Sequence, residues 1–268
     1  MKNKKALGQH WLKNRAILDE IAELAAYGMD IKTDGSAYEN SAKTGVKKQK
    51  QPLCVEIGPG LGYLTSSLLR RFDKVIAVEY DADLARKLPG SFPETNLEVV
   101  EGDILEYDFA GTGGAYVVVG NIPYYITSPI IEKVLTCASL AERVVLLMQR
   151  EVAERILSEK ETVLSLFVKN RAAVYAGPVV PAQEFTPPPK VDSEVLVMEP
   201  YNKPVVSDEV FQLIRRGFVS PRKKLIHNLA GLKSKEELLA DFTELGISLD
   251  ARPGDLHLVD WSNLFKRL

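Results

Sequence analysis

Apolar residues along this chain follow two rhythms, and the order in which they come suggests an architecture. Residues 16–26 put Ile17, Leu18, Ile21, Leu24 and Ala25 on one side of a helix, the spacing of a face that packs on a core. Short apolar runs then take over. Residues 53–57, 74–79, 97–101, 116–120 and 143–148 have the length and composition of strands. Between them, 64–71, 81–88, 129–137 and 149–158 have helical spacing, with Asp81 placed to cap the second of these. Residues 163–174 and 191–198 read as β-rich. Repeated strand–helix–strand spacing predicts an α/β, Rossmann-like fold: a doubly wound, mostly parallel sheet with helices on both faces. After about residue 200 the strands stop, and 208–219, 222–229, 235–245 and 261–268 are all helical in pattern. The expected organisation is an α/β domain over 1–200 and a small all-α domain over 201–268. Residues 28–51 are polar and rich in Lys, Ser, Thr and Gly, and read as a long, mobile loop.

Composition narrows the class. The chain has 268 residues, 46% hydrophobic and 26% charged, which is ordinary for a globular protein with a real core. Its apolar runs have strand length, short of a membrane span, and the basic N-terminus lacks an apolar signal core. A cytoplasmic protein without a membrane partner is expected. The two cysteines, Cys54 and Cys137, and the three histidines, His10, His227 and His257, lack metal-ligand spacing, so no metal is expected. Net charge is −2, yet residues 1–15 hold Lys2, Lys4, Lys5, Lys13 and Arg15 with no acid. Residues 211–228 hold Arg215, Arg216, Arg222, Lys223 and Lys224, again with no acid. Local basic patches attract phosphate backbones whatever the net charge, so a nucleic-acid partner stays open.

Candidate chemistry sits at the predicted strand ends. Glu56-Ile57-Gly58-Pro59-Gly60-Leu61-Gly62 joins the first strand of the alternation to its helix, and glycines there let backbone approach a ligand closely. Glu79 ends the next strand, placed to accept both ribose hydroxyls of a nucleoside. Asp103 follows the third, where it would accept from an adenine amine while Ile104 covers the ring. Such a loop also fits a dinucleotide of the NAD type or a structural turn. The acids at 56 and 103 favour S-adenosylmethionine, whose sulfonium is cationic, over a pyrophosphate. Asn121-Ile122-Pro123-Tyr124 follows the fourth strand. An adenine N6 amine is a poor nucleophile because its lone pair is delocalised into the ring. The Asn121 side-chain oxygen and the Pro123 carbonyl can each accept one of its N–H groups, orienting the lone pair and stabilising the charge that develops. Tyr124 offers a stacking face for the base. A capped turn is the plain alternative for the tetrapeptide alone.

With these motifs in order, the chain resembles the KsgA/RsmA family of ribosomal RNA adenine N6,N6-dimethyltransferases over nearly its whole length. Gly8-Gln9-His10-Trp11-Leu12 is similar to the family's N-terminal motif, and the resemblance implies cofactor contacts from His10 and Leu12. It assigns Gly58, Gly60, Glu79, Asp103, Ile104 and Asn121 to S-adenosylmethionine, and Asn121, Pro123 and Tyr124 to the target amine. Phe185-Thr186-Pro187-Pro188-Pro189-Lys190-Val191-Asp192-Ser193 resembles a further motif, whose Phe185 would sandwich the base opposite Tyr124. Ser220-Pro221-Arg222-Lys223-Lys224-Leu225 resembles the basic helix of the family's C-terminal domain, and Arg252-Pro253-Gly254-Asp255-Leu256 its later turn. The fold implied is a class I S-adenosylmethionine-dependent methyltransferase domain with a helical, RNA- or ribosome-binding tail. The reaction implied is dimethylation of two adjacent adenosines near the 3′ end of 16S ribosomal RNA, on a 30S precursor, by a monomer. Rival readings are an Erm-type enzyme acting on 23S ribosomal RNA and a ribosome-assembly factor whose catalysis is secondary. The chain departs from the family at His10, where many members carry Asn, and in its longer 28–51 loop. Its Glu161-Thr162-Val163 stretch lacks the family's Tyr-Gly, so no role is carried over there.

Overall fold

In a computed structural model that describes residues 9–27, 29–30, 39–40, 51–137 and 139–268, the alternation becomes one sheet and its helices. The elements are β1 (Trp11–Leu12), α1 (Arg15–Tyr27), β2 (Met29–Asp30), β3 (Glu39–Asn40), β4 (Gln51–Ile57), α2 (Tyr63–Leu68), β5 (Phe72–Glu79), α3 (Ala82–Lys87), β6 (Leu97–Glu101), β7 (Val117–Asn121), α4 (Thr127–Thr136), β8 (Arg143–Gln149) and α5 (Arg150–Leu157). They continue with α6 (Val163–Arg171), β9 (Ala172–Val180), β10 (Phe185–Thr186), β11 (Ser193–Pro200), α7 (Asp208–Gly217), α8 (Leu225–Asn228), α9 (Lys235–Glu244) and α10 (Leu258–Phe265).

Seven strands pair in the order β6-β5-β4-β7-β8-β11-β9. From β6 to β8 every pairing is parallel, and β11 runs antiparallel to β8. This is the doubly wound, Rossmann-like sheet that the alternation predicts. Five consecutive positions of β4 and of β8 are buried, as both faces of a parallel sheet must be, which is why they read as unbroken apolar runs. On one face α1 lays Leu18, Ile21, Ala22, Leu24 and Ala25 against Cys54, Val117, Val119, Val145 and Leu147. Asn14 starts that helix, its Oδ1 accepting from the Ala16 and Ile17 amides. Chain direction across the sheet reverses between β4 and β7, and the crevice that opens there, at the C-terminal strand ends, is where ligands bind in such sheets.

By its internal contacts the chain divides into two compact units: Met1–Ala153 with Val174–Pro200, and Glu154–Ala173 with Tyr201–Leu268. The sequence reading drew one boundary, between 200 and 201. In the second unit Trp261 is buried against Gly217, where the ring leaves no room for a Cβ. Asn170, also buried, exchanges hydrogen bonds with the Val206 backbone, and the Arg171 guanidinium lies 4.3 Å from the centre of the Phe167 ring.

The clearest difference from expectation is α6. Residues 163–171 form α6, and only at Ala172 does β9 begin, so the β-rich reading of 163–174 is wrong for its first nine positions. The Thr162 hydroxyl accepts from the Ser165 amide while the Ser165 hydroxyl accepts from the Thr162 amide, a reciprocal cap that nucleates the helix. Just before it, Glu161 is buried and held by Ser165 Oγ at 2.6 Å and Lys169 Nζ at 2.8 Å. Of the expected 28–51 loop, Met29 and Asp30 pair with Asn40 and Glu39 as β2 and β3. The rest of it, with Lys47, Lys48 and Lys50, lies outside the described residues, as do Lys2, Lys4, Lys5 and Gly8.

Candidate active site

At the C-terminal ends of β4, β5 and β7 the first unit holds a cavity of about 390 Å³. Its walls include His10, Leu12, Gly58, Gly60, Glu79, Asp103, Ile104, Asn121, Pro123 and Tyr124, so all the predicted site residues but one meet here. The volume is that of a small-molecule site.

The floor is the glycine loop. Gly58 and Gly60 have φ of +61° and +59°, conformations that side chains disfavour. A Cβ at Gly60 would also sit 3.2 Å from Trp11 Nε1, whereas one at Gly58 would point into open space. Glu79 is fixed by two backbone donors, the Gly60 amide on Oε2 at 2.9 Å and the Asp81 amide on Oε1 at 2.8 Å. Burial raises its pKa while those two donors work against the rise. Asp103 accepts the Leu105 amide on Oδ1 and has Oδ2 for a further donor. Beneath the loop Glu56 is buried and accepts Thr65 Oγ1 at 2.6 Å. Desolvation pushes its pKa up to about 8, the Thr65 hydroxyl opposes this, and the Glu79 charge adds to it.

The opposite wall is Asn121–Tyr124. Asn121 Nδ2 donates to the main-chain carbonyl of His10 at 3.0 Å, which fixes the amide and leaves Oδ1 to accept from a substrate. The Pro123 carbonyl takes the Ile126 amide at 3.2 Å and retains its second lone pair. Tyr124 is held at its far end by Ser193 Oγ, 2.7 Å from the phenol. Burial raises the phenol's pKa, the serine hydrogen bond lowers it, and Asp192 raises it again, so the ring stays neutral at physiological pH.

A strap closes the third side. Its ladder is antiparallel, Trp11 opposite Thr186 and Leu12 opposite Phe185. His10 Nδ1 donates to the Pro187 carbonyl at 2.8 Å, and Asn14 Nδ2 donates to Glu184 at 2.9 Å. The ladder decides the fate of Phe185. Residues directly opposite share a face, so Phe185 points the same way as Leu12, into the core, and is 2% exposed. It is absent from the cavity wall, and the expected sandwich of a base between Tyr124 and Phe185 is not the arrangement found. Sequence reasoning missed Trp11, which packs on Gly60, and Ser193, which orients Tyr124. It also missed the exposed Tyr80 and Tyr125 on the rim. Only the position of Tyr80 directly after Glu79 offered a signal. The other contacts join segments far apart in sequence.

The family of ribosomal RNA adenine dimethylases matches this chain over residues 1–268. The chain belongs to that family. Among curated relatives, ribosomal RNA small subunit methyltransferase A of Synechocystis sp. is 36% identical, covering 97% of this chain and 94% of its own length. Among solved structures, a dimethyladenosine transferase from Plasmodium falciparum is 27% identical with a TM-score of 0.74, covering 96% of this chain and 98% of its own. The 23S rRNA methyltransferase ErmE has the same TM-score, 0.74, at 23% identity over 96% of this chain and 99% of its own, a likeness of fold. This adenine dimethylase is thus a methyltransferase, and its motifs at residues 9–12, 56–60, 103–104 and 121–124 line one cavity. Among the described residues no helix is long and apolar enough to cross a membrane, and no group of three His, Cys, Asp or Glu could hold a metal ion.

Proposed function

We propose that this dimethylase methylates the N6 amines of two adjacent adenosines near the 3′ end of 16S ribosomal RNA, on a 30S precursor, with S-adenosylmethionine as donor. Its relatives' names, such as that of the Synechocystis protein, support the small subunit. The observation that carries the adenine reading is the bond from Asn121 Nδ2 to the His10 carbonyl, because it commits the other amide atom to accepting. The cavity fits the donor. Glu79 matches a ribose diol, Asp103 and Ile104 match an adenine edge and face, and the acid-lined, largely apolar wall suits a cationic sulfonium. When bound, S-adenosylmethionine supplies the methyl group and is released as S-adenosylhomocysteine. Asn121 Oδ1 and the Pro123 carbonyl accept the two N–H groups of the amine, turning its lone pair out of conjugation. Tyr124 stacks on the ring. As the new N–C bond forms, nitrogen becomes cationic and both acceptors strengthen, which is where they lower the barrier. The methylated amine is then acidic enough to give its proton to water, so no buried base is needed. The target must leave its stack to enter. Action as a monomer in the cytoplasm, where small-subunit particles are assembled, belongs to the same reading.

Primer extension on both ribosomal RNAs tests this, because dimethyladenine stops reverse transcriptase. Cells depleted of the protein should lose a stop near the 3′ end of the small-subunit RNA; loss confined to the large-subunit RNA would refute the reading. Asn121→Ala should keep its affinity for S-adenosylhomocysteine within about threefold and lose about 100-fold or more in kcat, the loss of one oriented acceptor. Rescue of a ribosome-assembly defect by that inactive variant would favour the binding-factor role.

A further inference from the structure

Tyr124 and Tyr125 are consecutive, yet their rings are held differently. Tyr124 is half-buried with its phenol bonded to Ser193, whereas Tyr125 is 64% exposed at the rim of the cavity. Both stand in one turn of 3-10 helix, Tyr124–Ile126, where neighbouring side chains point about 120° apart. A ring turned into the pocket is thus followed by a ring turned out over its mouth. We propose that Tyr125 is the platform on which the base next to the target adenosine stacks, a substrate contact outside the pocket that takes the target itself. This rests on the adenine reading above.

The backbone under this ring is fixed. The Pro123 carbonyl accepts the Ile126 amide at 3.2 Å and the Tyr124 carbonyl accepts Thr127 Oγ1 at 3.1 Å, which ties down the peptide units on either side of Tyr124. Thr127, the first residue of α4, is itself buried. A ring on a braced turn has less freedom to lose when a base lands on it. Among the described residues the Tyr125 ring has no aromatic or cationic neighbour and its hydroxyl no hydrogen bond, so the side chain is not committed to the protein. The other strongly exposed rim ring, Tyr80, directly follows Glu79 on the donor side; Tyr125 directly follows the residues assigned to the amine. Drawing the target out of its stack bares a face of the neighbouring base, and an aromatic side chain accepts any base because every base has a π-face. That tolerance suits two adjacent targets, since the base beside the pocket changes when the enzyme moves from one adenosine to the other.

Substitutions at position 125 separate the ring from its hydroxyl and from mere bulk. Tyr125→Phe keeps the ring, Tyr125→Leu keeps an apolar side chain without one, and Tyr125→Ala removes both. The measurements are S-adenosylhomocysteine affinity by calorimetry, and kcat/KM on unmethylated small-subunit particles. The parent and Tyr125→Ala are also assayed on particles reconstituted with an abasic nucleotide on one side of the target, then on the other. We expect affinity within about twofold in all three variants. Tyr125→Phe should keep kcat/KM within about threefold of the parent, while Tyr125→Ala and Tyr125→Leu should lose about 5- to 100-fold, the effect of removing one stacked base. One of the two abasic particles should cost the parent a similar factor and cost Tyr125→Ala little more, because ring and base act as a pair. A Tyr125→Phe protein as impaired as Tyr125→Ala, or a fully active Tyr125→Leu, would overturn the platform. So would losses that multiply on both abasic particles, or cofactor affinity that falls in step with activity; in each of these cases adenine methylation stands. A parent protein that leaves small-subunit particles unmethylated would overturn the functional reading and the platform with it.

Discussion

Glu56 shows how one buried carboxyl couples stability, ligand and pH. Its pKa is about 8 in the folded protein against an ordinary 4.5. A raised folded value means the neutral form favours folding. That contribution is complete below about pH 4.5 and is lost as pH rises through about 8, on the order of a few kcal/mol. Glu56→Gln keeps an acceptor for Thr65 and removes the charge. Its thermal midpoint should stay nearly flat between pH 6 and 9, where the parent's falls; parallel profiles would show that Glu56 does not titrate there. A cationic donor favours the ionised form, so the parent's affinity for S-adenosylmethionine should rise from pH 6 to 8.5 with release of a proton. Calorimetry in two buffers of different ionisation enthalpy measures that release. The places of Glu79 and Asn121 on the cavity wall could be anticipated because each stands at a strand end, whereas the burial of Glu56 against Thr65 could not. Trp11 and Ser193 could not be placed, because their partners lie 49 and 69 positions away.

Among elements, α6 is the instructive one. Val163, Leu164, Leu166, Phe167 and Val168 supply apolar and β-branched residues at nearly every position, which periodicity reads as a buried strand. The reciprocal Thr162–Ser165 cap and burial on more than one side make it a helix instead. Thr162→Ala should therefore cost about 1 kcal/mol, a fall of about 2–4 °C in midpoint, with S-adenosylhomocysteine affinity unchanged. No change in midpoint would mean the cap contributes little. Most other elements fell within a few residues of their expected bounds, β2, β3 and β9 apart, because the sheet's parallel strands and amphipathic helices carry strong, opposite periods. β1 and β10 did not, since two-residue strands have no period.

For the molecule as a whole, net charge is a poor guide to partner. At −2 it conceals Arg215, Arg216, Arg222, Lys223 and Lys224, all exposed in the second unit, though Lys224 pairs with Asp250. If these meet RNA phosphates, Arg222→Glu with Lys223→Glu should weaken ribosomal RNA binding and lower the salt slope by about 1 for each phosphate no longer neutralised. Affinity for S-adenosylhomocysteine should not move, because the cavity lies wholly in the first unit. An unchanged salt slope would place the RNA-binding surface elsewhere. The sequence by itself determined the alternation, the glycine loop with its carboxylates, and the place of Asn121–Tyr124 at a strand end, since period, backbone freedom and side-chain chemistry are local properties. Only the tertiary structure decided where Phe185 points. That choice rests on a two-residue ladder between the chain's beginning and residues 185–186, which turns Phe185 into the core and leaves His10 over Tyr124.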